Sequence, residues 1–213
     1  ASISGGALYA ARTNTSVTIS STIFERNVAQ KYYGGAVIVT EGVDLKVTYS
    51  TFRKSSAAIW EYSDGGALYV RGPGTTAIIQ ATMFVDNTAA DEGGALSIMD
   101  SAEVTLLGGG NSFTGNKART GFSIYMQAKL DSNDASSDPT KLLFDVCSPG
   151  TYQKSSDYIF DSNSGEKSIN QDFTGCPETC GGNNFAAWCG PNVGDSACTK
   201  NQPDDDKPCA FSY

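Results

Sequence analysis

No histidine occurs among the 213 residues of the chain. That removes imidazole as a general base, as the activator of a serine or cysteine nucleophile, and as a metal ligand. No apolar run approaches the roughly 18–20 residues that cross a bilayer as a helix. No stretch keeps apolar residues at helical spacing for long, so helices are not expected. Charged residues are scarce, at 18%, and the 15 Lys and Arg form no cluster. With a net charge of −8 and a pI near 4.5, the chain lacks the basic footprint that phosphate binding needs, which excludes nucleic acid as a partner. A basic membrane-binding surface is equally unsupported. The opening ASISGGALYA has neither the charged start nor the long apolar stretch of a signal peptide, as a mature or trimmed form would.

What the chain does have is glycine, 23 residues of it, and short runs rich in Val, Ile, Thr, Tyr and Phe. These point to an all-β chain. Gly-Gly pairs followed by Ala and an aliphatic residue begin at 5, 34, 65 and 93, in steps of 29, 31 and 28. A second landmark keeps the same beat. Phe24, Phe52, Phe84 and Phe113 recur in steps of 28, 32 and 29, each followed three residues later by Asn27, Ser55, Asn87 or Asn116. A degraded fifth copy, TGFSIYM, starts at Thr120.

A period of this size marks a solenoid, a propeller or an array. Each unit has room for two or three strands and for no helix. Propeller blades are longer, and the leucine spacing of leucine-rich repeats is missing. The expected fold is a right-handed parallel β-helix of about 29 residues per coil, with rungs about 4.8 Å apart. Gly-Gly then marks a corner that needs a positive φ and close backbone approach. The alanine after it turns inward, beside the row Leu8, Val37, Leu68 and Leu96. The four phenylalanines form an interior column. Asn27, Asn87 and Asn116 form an asparagine ladder, which Ser55 interrupts with a local distortion holding water.

The combination of GGA-[ILV] with F-x-x-N, one of each per coil, resembles the repeats of chlamydial polymorphic outer membrane proteins and related autotransporter passengers. It also falls within the wider pectate-lyase-like β-helix superfamily. The likeness covers residues 1 to about 126. It implies a surface protein or adhesin, or a polysaccharide lyase or hydrolase.

The expected organisation is a β-helix over 1–126, a polar linker over 127–141 and a Cys-rich cap or tail over 142–213 that can add a last coil. Cys147, Cys176, Cys180, Cys189, Cys198 and Cys209 lie in that tail. An even number in a short loop-rich segment fits three disulfides of open connectivity and an oxidising, extracellular compartment. Zinc is disfavoured, because histidine is lacking and only Cys176 and Cys180 lie close in sequence. Asn14 begins the sequon Asn-Thr-Ser and is a candidate glycan acceptor. A solenoid needs capped ends. The tail caps one. The other begins almost at once on a coil, so a removed segment or another molecule is expected to cover it.

Carboxylates are the remaining source of chemistry. Asp64 and Glu92 each precede a Gly-Gly, so stacking places them on adjacent rungs, near Asp86 and Asp91. A calcium ion there would be a structural cofactor. Tyr32, Tyr33, Trp60, Tyr62 and Tyr69 are expected to be exposed, as rings that stack on sugars. Partial threonine rows, Thr18/Thr48 and Thr22/Thr51/Thr82, leave an ice-binding face open. The functional expectation is a non-enzymatic extracellular structural protein: a subunit of a fibre, filament or appendage, or an adhesin domain, self-associating head to tail. The alternative is a carbohydrate-binding or polysaccharide-degrading β-helix.

Overall fold

The computed structural model describes residues 4–57, 61–107, 110–127, 140–145, 151–152, 159–160, 166–169, 173–174 and 178–179. Among them there is no helix. The first coil is β1 (Leu8–Ala11), β2 (Ser16–Ser20) and β3 (Ile23–Glu25). The second is β4 (Val37–Thr40), β5 (Asp44–Thr48), β6 (Thr51–Arg53) and the short β7 (Ser56–Ala57). The third repeats it as β8 (Leu68–Arg71), β9 (Thr76–Gln80), β10 (Met83–Val85) and β11 (Thr88–Ala89). The fourth has β12 (Leu96–Met99), β13 (Glu103–Leu107) and β14 (Ser112–Thr114). Then come β15 (Ile124–Gln127) and β16 (Lys141–Asp145), followed by β17 (Thr151–Tyr152), β18 (Ile159–Phe160), β19 (Glu166–Ile169), β20 (Phe173–Thr174) and β21 (Glu178–Thr179).

Each strand of a coil pairs in parallel with its counterpart in the next. The first sheet runs β1-β4-β8-β12-β15, the second β2-β5-β9-β13-β16 and the third β3-β6-β10-β14. This is the expected parallel β-helix. Leu8, Val37, Leu68, Leu96 and Ile124 stack in register, as do Phe24, Phe52, Phe84 and Phe113. The four rings lie nearly parallel, with centroids 4.6, 5.0 and 4.7 Å apart. Phe52, Phe84 and Phe113 are wholly buried, and Phe24 is half-buried at the end of the column. Stacked pairs of this kind add about 0.5–1.5 kcal/mol each beyond area burial. Ala36, Ala67 and Ala95 point into the core, whereas Ala7, in the first coil, is exposed.

Gly5, Gly34, Gly65, Gly93 and Gly121 all take φ between +63 and +66°. The second glycine of each pair has a different reason to be there. A Cβ on Gly6, Gly35 or Gly66 would collide with the carbonyl of the next coil's glycine. The dipeptide therefore combines one left-handed residue with one close approach.

The corners flanking the third sheet follow a two-residue rule. Ser21, Tyr49, Ala81 and Gly110 have positive φ, and so do Arg26, Lys54, Asp86 and Gly115. Each is followed by a polar residue. In the second set, the Asn87 amide nitrogen donates to the Phe52 carbonyl at 2.9 Å and the Asn116 amide nitrogen to the Phe84 carbonyl at 3.0 Å. The Asn116 side-chain oxygen accepts from the Asn87 backbone at 3.0 Å, and that of Asn87 from the Ser55 backbone at 3.0 Å. The buried turn thus has its backbone groups satisfied by side chains.

Ser55 does not distort the coil, contrary to expectation: Lys54 still donates to Val85 and Thr88 to Ser55, at 3.0 and 2.9 Å. What it does is end the ladder above Asn27, and its buried hydroxyl has no partner. Ser55→Asn is expected to supply the bonds to Phe24 and Asn27 that the coils above enjoy. Two bonds at about 1 kcal/mol each correspond to a melting temperature raised by roughly 4–8 °C. Thermal unfolding of both proteins checks this, and an unchanged or lowered midpoint refutes it.

The threonine rows do not form. Thr48 stacks on Ser20 and Lys46 on Thr18, while Thr51 pairs with Ile23 and Met83. Strand register, set by the interior aliphatics, places Thr48 two positions from Thr18, and Thr51 one position from the row that Thr22 and Thr82 share with Ser50. β16 gives the second sheet a fifth parallel rung, so part of the tail does join the solenoid. The six cysteines and Trp60 lie outside the described residues.

Candidate functional site

The corner before each Gly-Gly is itself a stack. Gly5 donates to the Tyr33 carbonyl, Gly34 to Asp64, Gly65 to Glu92 and Gly93 to Thr120, all at 2.9–3.0 Å. Tyr33, Asp64, Glu92 and Thr120 therefore occupy one row, and Asp64 and Glu92 sit on adjacent rungs as the sequence predicted. The residue before each forms a second row. In it, Asp91 is buried and Arg119, one coil on, binds its carboxylate at 2.7 Å.

Tyr33, from the first of these rows, lies against the outer face of the first sheet. Tyr69 points away from the core, because Leu68 and Val70 beside it line the interior. It is nonetheless only 2% exposed. Tyr33 stacks on it, with ring centroids 4.4 Å apart and planes 13° from parallel, and Tyr32 tilts against Tyr33 at 5.9 Å. Burial pushes the Tyr69 and Tyr33 hydroxyls up from their ordinary acidity. Of the rings expected on the surface, Tyr32 and Tyr62 are exposed, Tyr33 is half-buried and Tyr69 is buried. Sequence could not distinguish Tyr69, since its strand position alternates outward and the Tyr33 ring that stacks on it comes from another coil.

Asp64 is the strongest outlier. It is 7% exposed. Burial first, then the charges of Glu92 and Asp91, push its carboxyl up to about 8, against a hydrogen bond from the Glu92 backbone and the charge of Arg119. At neutral pH it is a neutral acid, able to donate a proton or a hydrogen bond. Arg71, two residues along the strand from Tyr69, forms an ion pair with Asp100 at 2.6 Å.

The expected calcium pair does not gain a third ligand. Asp91 is engaged by Arg119, and among the described residues no group of three or more histidines, cysteines or carboxylates is placed to hold a metal ion. The Asp91–Arg119 contact itself escaped sequence reading, although its signal was there: Asp91 and Arg119 are 28 residues apart, one repeat.

Fold and corner together define a parallel β-solenoid carrying a buried acidic and aromatic corner. The chain matches no protein-family model, and no curated protein or solved structure resembles it significantly. No helix of the described residues is long and apolar enough to cross a membrane.

Proposed function

We propose that the chain is an extracellular structural protein, a subunit of a surface fibre, filament or appendage or an adhesin domain, which associates through the end of its β-helix. The observation that carries this reading is the coil of β1, β2 and β3. Each of the three is the edge strand of its sheet, and the interior residues Leu8, Val17 and Phe24 are only partly covered. Tyr9 and Ile23 stand exposed beside them. Among the described residues, three edge strands in one coil offer a template for further strands. Asn14, with φ of 63°, lies exposed in the turn between β1 and β2, where a glycosyltransferase has access. The cysteine-rich tail fits an oxidising compartment. Electron microscopy of the dilute, unfixed protein is expected to show particles joined end to end. Uniformly dispersed single particles at every concentration would sink the proposal.

A carbohydrate-binding or carbohydrate-degrading role is the second reading, favoured by the neutral Asp64 carboxyl beside the tyrosine stack. Exchange of Asp64 and Glu92 for Asn and Gln is expected to leave end association intact. A polysaccharide that is bound or cleaved by the parent and not by this variant would reverse the order of the two readings.

A further inference from the structure

The two ends of the solenoid differ. At the far end β15 and β16 are parallel rungs of the first and second sheets. β20 pairs with β14 antiparallel and takes the fifth place in the third sheet. β19, also antiparallel, takes the sixth place in the first sheet, with β18 beyond it.

β19 reproduces what another coil would bring. Ile169 lies opposite Ile124, at the head of the row that begins with Leu8. It is 2% exposed and belongs to the core. Its carbonyl accepts from the Ser123 amide at 2.9 Å. In the coils below, Ala7, Ala36, Ala67 and Ala95 occupy the place of Ser123, and they donate to the carbonyls of Ala36, Ala67, Ala95 and Ser123. A strand running the other way thus supplies both the aliphatic side chain and the acceptor of a missing rung.

Phe122 is a second block. It stands where the lower coils have their second glycine. There a Cβ strikes the carbonyl of the following coil, as at Gly94, whose Cβ would strike the Phe122 carbonyl itself. A side chain is admissible only where no such carbonyl follows.

We propose that β19 and Phe122 together form a stop, which keeps a second copy of the chain from adding its β1–β3 coil in register at this end. The stop deepens the reading of the solenoid as self-associating, by making that association one-ended. In a fibre this chain then joins through its β1–β3 coil and not through β15.

The test uses the full chain, with Ile169→Asp to eject β19 and Phe122→Gly to clear the corner, followed by sedimentation velocity and hydrogen exchange. The doubly substituted protein is expected to lose protection at the β15 amides by about tenfold or more, to keep it in β4, β5 and β6, and to grow with concentration beyond a dimer. Adding Leu8→Asp, which spoils the incoming coil, is expected to abolish that growth. The parent is expected to stop at a dimer. Three outcomes overturn the stop: an open β15 edge without growth, growth that survives Leu8→Asp, or protection lost throughout the lower coils, which would make β19 part of the common core. A parent that forms filaments with the neighbour's β1 cross-linked to β15 also overturns it, while leaving the structural function standing. A parent that never associates while the double variant does so overturns the function and leaves the stop.

Discussion

Gly66→Ala is expected to destabilise the protein by about 3 kcal/mol or more, an unusually large cost for adding one methyl group. The reason is not backbone freedom, since Gly66 has no positive φ. Its missing Cβ would lie 2.7 Å from the Thr88 nitrogen and 2.5 Å from the Thr88 carbonyl carbon, and would collide with the Gly94 carbonyl. All three are backbone atoms in hydrogen-bonded rungs, so none can rotate away, and the third and fourth coils must part locally. Gly74→Ala is the control. Gly74 has φ of +71°, but its nearest neighbour to a Cβ is 3.8 Å away. The cost there is the left-handed penalty alone, about 1–2 kcal/mol. Denaturant unfolding of the two variants separates them, and hydrogen exchange should locate the Gly66→Ala damage at β8 and β12. Equal costs would show that conformation rather than contact selects the second glycine.

Asp64→Asn is expected to have the opposite effect, making the protein more stable at neutral pH by on the order of 2–4 kcal/mol. The folded carboxyl titrates at about 8 and the unfolded one near the ordinary 3.8. Below about pH 4 both states hold the proton. Between there and about pH 8 only the folded state does, so unfolding releases a proton and stability falls as pH rises, by up to about 1.4 kcal/mol per pH unit. Asparagine keeps the acceptor for the Glu92 backbone and has no charge to desolvate. Melting curves across that window should slope downward for the parent and lie flatter for the variant, with the gap widening toward pH 8. Parallel curves would mean that the carboxyl is solvated in the folded protein.

The solenoid was legible in the sequence because its interior is periodic. Stacking forces like residues onto like, and two landmarks, Gly-Gly-Ala and Phe-x-x-Asn, sample different corners of one coil. A third landmark was half legible, with Thr51 expected where Ser50 stands. Thr22, Ser50, Thr82 and Asn111 each lie two residues before a column phenylalanine, and they bridge coils through bonds such as Ser50 to the Thr22 backbone and Asn111 to the Thr82 backbone, both 3.1 Å. Their identities vary because a hydroxyl and an amide can both meet a backbone N–H, so the eye finds no repeated letter. The corner around Asp64 was half legible. Its row position follows from the period, whereas its burial, and the stacking of Tyr33 on Tyr69, join different coils in ways that no single repeat encodes. The far end was least legible, because β19 and β20 follow no period at all. Phe122 in place of a glycine was the one local sign that the repeat was ending.

Length variation between the described coils lies outside their three sheet strands. The segment between the first- and second-sheet strands runs over 12–15 in the first coil, 41–43 in the second and 128–140 in the fifth, yet Lys141 still lands opposite Glu103. Rungs behave as vertebrae of fixed height, and the excursions between them as ribs of arbitrary length. A lineage can therefore change what such a molecule displays to its surroundings by lengthening a rib, without renegotiating the spine that carries it.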